Sequence, residues 1–233
     1  MISVAAFAQP PGSYSSEKES ALGKALAADF ERRSKLLDDP VTGDYVQKLA
    51  NKLAASSGAK LALDVKVVQS AEPGAGAFPG AFLFVNSGLI AGARTEAELA
   101  GILAHEIVHI AARHGLRPTA SREVIVMDGW SGMCARFGDS LVPVGLQAEQ
   151  RGFEQEADLL GVEYAANAGY DPHGLADFWE RLQPSRTDLA AVRARVEELT
   201  ATPRNFVLTS PEFLRVQERH QTVRPVPPSL RNK

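Results

Sequence analysis

The segment 97–112 constrains the fold of this chain more than any other stretch. It is the most apolar part of the sequence, yet it carries Glu98, His105, Glu106 and His109. Its apolar side chains recur in a way that predicts a largely buried helix. Burying two imidazoles and a carboxylate without partners would cost on the order of several kcal/mol. These side chains therefore need a binding partner, such as a metal ion, that offsets this cost.

Three of these residues form the pattern His-Glu-x-x-His at 105–109. Four residues advance a helix by slightly more than one turn, so His105 and His109 project from one face and can take adjacent positions around a tetrahedral zinc ion. Glu106 lies about 100° around the helix from His105, beside the metal without ligating it. Its carboxylate can there accept a proton from water. The pattern predicts a catalytic zinc site, and the burial expected of the helix favours that over a chance match.

A catalytic zinc ion usually has three protein ligands, so a third ligand is expected elsewhere in the chain. A later predicted helix offers Glu154 and Asp158 on one face. One of them can ligate the metal while the other orients a ligand histidine through its second ring nitrogen. His114 is a poor ligand candidate, because on a continuing helix it falls about half a turn away from the first histidine.

Other residues near these motifs are interpreted as structural. Trp179 is expected to pack in the core or under a loop. Three acidic residues are expected to be solvated charges, and these are Glu149, Glu156 and Glu163. Glu156 is also the reserve candidate for the third ligand.

Hydropathy periodicity predicts a mainly helical α+β domain. Helices are expected over 16–37, 42–55, 95–114, 147–168, 172–182, 189–199 and 211–220, and strands over 61–67 and 81–90. The helix at 95–114 begins with a capping box formed by Thr95 and Glu98, and Gly115 is expected to end it. The glycine- and proline-rich stretch 72–80 is expected to be a loop.

The net charge, the cysteine content and the two ends of the sequence limit the classes of protein to which the chain can belong. The net charge of −3 argues against a nucleic-acid partner, and the single cysteine excludes an internal disulfide. No apolar run is long enough to span a membrane. Residues 1–15 are expected to be a signal-peptide remnant or a flexible tail, 16–222 a single domain, and 223–233 a proline-rich tail. The small residues before position 9 favour a periplasmic or secreted protein, with a cytoplasmic location still open.

The sequence HEIVHIAARHG at 105–115, followed by RGFEQEADLLGVEYAANAGYDP at 151–172, resembles peptidase family M48. This family of zinc endopeptidases includes HtpX, the BepA-like periplasmic proteases and the CAAX prenyl protease. The resemblance covers about 74–182. It implies that Glu154 is the third zinc ligand, that Asp158 is the aspartate of the family's ExxAD segment, and that the fold is a gluzincin-like zincin with a small sheet packed on the active-site helix. Because the sequence has no counterpart of the membrane helices of HtpX and the prenyl protease, the soluble exported members are expected to be the nearer relatives.

The sequence departs from the family pattern in two places. Residues 74–81 read GAGAFPGA where the family has an NAFALPGG-like loop. Near the C-terminus the family has a His-Pro segment followed by an arginine, whereas this chain has Ser210-Pro211 followed by Arg215. The oxyanion stabiliser is therefore in question. Arg215 and His220 are the candidates for it, although both can equally be surface charges.

The function expected from these features is zinc-dependent endopeptidase activity, with one zinc ion per chain and Glu106 as the proton carrier. A peptide or unfolded-protein substrate is expected to add as a strand along one sheet edge, whose residues are Ala81, Phe82, Leu83, Phe84 and Val85. Two alternatives stay open. One is a zinc-site protein that binds without cutting, which the missing His-Pro histidine favours. The other is a latent zymogen whose cleft is covered by 129–145 or by the C-terminal tail.

Overall fold

The computed structural model describes residues 15–116, 127–128, 144–183 and 189–220. Most of this part of the chain is helical, which agrees with the expected fold class. The helices are α1 (Ser16–Arg33), α2 (Pro40–Ser56), α3 (Ser87–Gly92), α4 (Glu96–Ala111), α5 (Val144–Asn167), α6 (His173–Leu182), α7 (Leu189–Thr200) and α8 (Pro211–Glu218). The strands are β1 (Asp64–Val68), β2 (Ala75–Phe78), β3 (Phe82–Asn86) and β4 (Met127–Asp128).

The strands form one mixed sheet in the order β1-β3-β2-β4. β1 and β3 are parallel, and β2 runs antiparallel to both β3 and β4. A tight turn joins β2 to β3, with positive φ angles at Gly80 and Ala81. The expectation that 72–80 is entirely a loop is wrong, because β2 lies inside it. Every residue of β2 is buried, and small residues such as Ala77 let the strand pack against α4.

Helix α4 is the central element of the domain. All but its last residue are buried, and it packs against α2, α5, α6 and β2. The opposite face of the sheet is covered by α1, where the ring of Phe30 contacts those of Phe78 and Phe84. The sheet is therefore enclosed between α1 and the α4 layer, which confirms the expected helical α+β architecture.

The capping box expected at the start of α4 is only half formed. The Oγ1 of Thr95 accepts a hydrogen bond from the backbone N–H of Glu98 at 3.1 Å. The carboxylate of Glu98 instead accepts from the backbone N–H of Arg94 at 2.8 Å and pairs with Arg181 on α6. This side chain therefore connects two helices rather than closing the cap.

The first residue of α4 anchors a buried polar network. Glu96 is 3% exposed, and its Oε1 accepts hydrogen bonds from the hydroxyls of Tyr45 at 3.0 Å and Tyr170 at 3.4 Å. Its Oε2 accepts from the backbone N–H of Ser210 at 2.7 Å. Burial, with the nearby Glu96 carboxylate, raises the pKa of both tyrosines above the ordinary value, so they remain donors. One carboxylate thus connects α2, the segment between α5 and α6, and the start of α8 to α4.

We expect Glu96→Ala to lower the free energy of unfolding by about 2–4 kcal/mol, because it leaves several buried donors without an acceptor. Urea denaturation would measure the change. Glu197→Ala, on an exposed position of α7, is the matched control and should leave the midpoint nearly unchanged. Equal midpoints for the two variants would show that the network contributes little.

Several expected boundaries differ from the structure. Helix α4 ends at Ala111 with its C-cap at Ala112, and a separate 3-10 turn follows at His114–Leu116, so the expected continuous helix to His114 is wrong. The expected strand over 81–90 ends at Asn86, where α3 begins. Residues 1–14, 129–143 and 221–233 lie outside the described residues, so the tails and the covering segment stay predictions. Within the described part of the chain, no helix has the length and apolar character needed to cross a bilayer.

Candidate metal centre

Helix α4 brings two imidazoles together at the centre of the domain. His105 and His109 lie one turn apart on the helix, and both are at most 2% exposed. Their Nε2 atoms are 3.1 Å apart. The spacing seen in the sequence therefore places both rings on one face, with one nitrogen of each ring directed at a common point.

Helix α5 supplies a carboxylate to the same point. The Oε2 of Glu154 lies 3.4 Å from the Nε2 of His105, and its Oε1 lies 3.5 Å from the Nε2 of His109. The three ligand atoms all lie within 4.8 Å of one another. Glu154 keeps 23% of its side chain exposed whereas the histidines are enclosed, so solvent reaches the cluster from the carboxylate side.

The second nitrogen of His105 is held by another residue of α5. Its Nδ1 lies 2.8 Å from the Oδ1 of Asp158, a side chain with no exposed surface. The indole N–H of Trp179 on α6 donates to the same oxygen at 3.0 Å. Because an ionised carboxylate only accepts hydrogen bonds, the Nδ1 of His105 carries a proton and the Nε2 is left to face the cluster.

The electrostatics of this cluster favour a positive charge. Burial alone would lower the pKa of His105, but hydrogen bonds to Asp158 and Glu154 outweigh it and raise that pKa to about 10. A cation at the Nε2, whether a proton or a metal, satisfies the two carboxylates. The same charges that hold a proton on this ring therefore also attract a metal ion.

The distances fit a tetrahedral zinc ion. Two ligands at the usual zinc distance of about 2.0–2.1 Å lie roughly 3.3 Å apart in a tetrahedral site. The Nε2 atoms of His105 and His109 are 3.1 Å apart, and each lies 3.4–3.5 Å from a different oxygen of the Glu154 carboxylate. Two imidazole nitrogens and one carboxylate form a donor set suited to this metal, with room for a fourth ligand.

Three residues near the centre have contacts that the sequence did not predict. His114, rejected there as a ligand, is fully buried, and its Nδ1 lies 2.8 Å from the Nδ1 of His109. Glu156, expected to be solvated, lies 3.3 Å from the other ring nitrogen of His114. Trp179 lies in the core as expected, but it also donates to Asp158. The signal available in the sequence for these contacts was that His114 and Glu156 lie close to the segments 105–109 and 154–158.

The expected solvation of the other two glutamates is tested only in part. Glu163 is 17% exposed and forms an ion pair with Arg195 at 2.8 Å, so its charge is paired within the protein. The side chain of Glu149 lies outside the described residues.

The two oxyanion candidates lie elsewhere in the fold. His220 is buried, and its Nε2 is 2.8 Å from the Oγ1 of Thr42 at the start of α2. Burial lowers the pKa of His220 below its ordinary value. Arg215 is exposed on α8, which packs against α2 and α3 rather than against the metal cluster. The structure therefore does not bring either residue to the cluster.

The expected substrate edge also needs correction. Residues 82–86 form β3, which pairs with β1 on one side and β2 on the other. A strand with both sides paired cannot accept a further strand. The prediction that Ala81–Val85 lies at an edge is therefore wrong. Among the described strands the sheet ends at β1 and β4.

Comparison with known proteins identifies the kind of domain that carries this cluster. The sequence profile of Peptidase family M48 matches residues 40–223. The beta-barrel assembly-enhancing protease of Yersinia pestis is 26% identical over 183 residues, which cover 71% of this chain and 38% of that protein. The protease of the same name from Escherichia coli K12 is 24% identical over 202 residues, covering 79% and 41%. The mitochondrial metalloendopeptidase OMA1 of Schizosaccharomyces pombe is 28% identical over 157 residues, covering 64% and 47%. The chain thus spans less than half the length of these relatives.

Proposed function

Since this chain belongs to peptidase family M48, we propose that it hydrolyses peptide bonds as a zinc-dependent endopeptidase. The observation that carries the proposal is the convergence of His105, His109 and Glu154, whose ligand atoms lie within 4.8 Å of one another. The hydrogen bond from His105 to Asp158 supports it further, because it leaves the Nε2 of that ring available to a metal.

These three residues would hold the metal with two nitrogens and one oxygen, which leaves a position for water or substrate. Zinc bound there would supply a Lewis acid toward the attacking water and the scissile carbonyl. The nearly complete burial of both histidines keeps bulk water away from the cluster on the α4 side, and Glu154 marks the open side.

Glu106 is the residue we assign to proton transfer. It follows His105 on α4 and is fully buried, and helical geometry places it about 100° around the helix from that histidine. It would accept a proton from the attacking water and return it to the nitrogen of the leaving amine. By moving the proton from the water oxygen to the amide nitrogen, the carboxylate lets the nitrogen, otherwise a poor leaving group, depart as a neutral amine.

We infer that the substrates are peptides or unfolded proteins, as membership of a peptidase family suggests. Periplasmic or extracellular location remains a proposal that rests on the signal-like sequence at the N-terminus. The names of the bacterial relatives refer to β-barrel assembly. This chain matches only 38–41% of the length of those proteins, so their role in assembly is not part of the proposal.

Metal removal tests the function directly. The purified protein is expected to contain about one zinc ion per chain and to cleave unfolded casein or a fluorogenic peptide library. A chelator should abolish hydrolysis and added zinc should restore it, whereas His105→Ala should lose both metal and hydrolysis. Hydrolysis that persists in excess chelator after complete metal removal would overturn the proposal. Zinc binding without any cleavage would favour the non-cutting alternative.

A further inference from the structure

The chain reverses direction immediately after α4. The helix ends at Ala111, and Arg113 adopts a φ of +56°, a left-handed conformation that is uncommon for a residue with a side chain. The 3-10 turn His114–Leu116 follows. The reversal brings the ring of His114 back to the last turn of α4, where it is fully buried. A backbone held in such a conformation is often found where a side chain must be aimed precisely.

Both ring nitrogens of His114 are engaged. The Nδ1 lies 2.8 Å from the Nδ1 of His109, and the Nε2 lies 3.3 Å from the Oε2 of Glu156. The ring of Phe153 stacks on the imidazole, with centroids 4.6 Å apart and an interplanar angle of 14°. The orientation of His114 is therefore fixed at both nitrogens and on one face.

One placement of the ring protons satisfies all of these contacts together. The ionised carboxylate of Glu156 only accepts a hydrogen bond, so the Nε2 of His114 is the donor. The neutral ring then has its lone pair on Nδ1, which accepts from the Nδ1–H of His109. His109 is left with a lone pair on its Nε2, the atom that faces Glu154 and His105.

We propose that His114, supported by Glu156, is the positioning residue that holds His109 in the tautomer and ring orientation required for binding the metal. It serves His109 as Asp158 serves His105, although through a neutral imidazole rather than a carboxylate. The inference rests on the proposed zinc site. Partners of this kind typically change metal affinity by about 10–100-fold when they are removed.

The first helix of the protein stabilises the turn that carries this residue. Glu19 on α1 forms an ion pair with Arg113 at 2.5 Å, and both side chains are largely buried. Helix α1 lies before the segment that matches the family profile, which begins at residue 40. A part of the chain outside the matched segment thus helps to hold Arg113 in its unfavourable conformation.

The test measures zinc affinity by competition with a chromogenic chelator, so it does not depend on peptidase activity. His114→Phe keeps a ring that can stack on Phe153 but removes both nitrogens. We expect zinc to bind this variant about 10–100-fold more weakly. His114→Asn restores a polar atom near the Nδ1 position and should recover part of the affinity.

His220→Phe is the matched control, because it removes the ring nitrogens of a second buried histidine that bonds Thr42 away from the cluster. It should lower thermal stability without changing zinc affinity. If His114→Phe does not fold, Glu156→Leu replaces it, since that side chain is 30% exposed and the change is tolerable. Glu156→Leu should weaken zinc binding and alter the visible absorption of the cobalt-substituted protein, which reports on ligand geometry.

Unchanged zinc affinity and an unchanged cobalt spectrum in the His114 or Glu156 variants would overturn the positioning role. An equal loss of affinity in His220→Phe would also overturn it, because the effect would then follow general stability. A wild-type protein that binds no zinc would instead overturn the metal site itself. A protein that binds zinc but cleaves nothing would overturn the proposed peptidase function and leave the role of His114 intact.

Discussion

Glu106→Gln should retain zinc and lose peptide hydrolysis by about 10²–10⁴-fold, the usual contribution of a positioned proton carrier. The amide has almost the same shape as the carboxylate, so the packing around this buried position is preserved. It cannot accept the proton from water or return it to the leaving amine. Zinc content and kcat, measured on the same preparation, would separate the two effects.

The control for this variant is Glu163→Gln on α5, the helix that also carries Glu154. Glu163 is 17% exposed and pairs with Arg195, so the same chemical change there removes one ion pair outside the cluster. Its kcat should match the wild type. Full activity in Glu106→Gln would exclude Glu106 from the mechanism, and simultaneous loss of zinc would show that its role is structural.

The sequence predicted the parts of the site that lie on regular helices. His105 and His109 are one turn apart, and Glu154 and Asp158 are also one turn apart, so helical periodicity alone indicates which side chains share a face. The resemblance to a family then distinguished Glu154 as the ligand from Asp158 as its neighbour. The packing of α5 against α4 then brings the two faces together.

His114 is not part of the ligand cluster, as expected, but its contact with His109 was not predicted, because its position was inferred from a helix that does not extend that far. On a continuous helix the residue lies half a turn away from His105, but α4 ends at Ala111 and Arg113 takes a left-handed conformation. Contacts with Glu19, distant in sequence, accompany that conformation. Local sequence patterns cannot reveal a turn that depends on such contacts.

The sheet was predicted less well for a related reason. Three of the four residues of β2 are small, and the strand lies among prolines and glycines, a composition typical of loops. The small side chains of β2 allow it to pack closely against α4. This packing depends on a helix distant along the chain, so the local sequence does not reveal it. β3 is not an edge strand as expected, because β1 pairs with it in parallel on one side and β2 pairs with it on the other. Strand order of this kind is not encoded in the periodicity of either strand.

Gly161→Val should both destabilise the protein and weaken its metal site. A Cβ added at Gly161 would lie 3.1 Å from the Cα and the backbone N of His105, closer than nine in ten real Cβ contacts. Gly161 therefore marks the point where α5 lies directly against α4. It shares a helix face with Asp158 and Glu154, so displacement of α5 would move both carboxylates away from the histidines.

We expect Gly161→Val to lower the free energy of unfolding by about 1–3 kcal/mol through overpacking. Zinc affinity should fall by at least about tenfold, because the ligand and the orienting carboxylate move together. Gly161→Ala should give an intermediate result, since its neighbours need to shift by only a few tenths of an ångström. Urea denaturation and chelator competition would measure the two effects.

Gly152→Val provides the matched control on the same helix. A Cβ at Gly152 meets nothing within 4 Å and the position is exposed, so the same substitution there does not push α5 away from α4. Helix propensity changes equally in the two variants, and only the approach to α4 differs. If Gly161→Val binds zinc as tightly as Gly152→Val, then the contact between α5 and the backbone of His105 does not set the geometry of the site. If only Gly161→Val loses zinc, the close approach of the two helices is what places Glu154 and Asp158 within reach of the paired imidazoles.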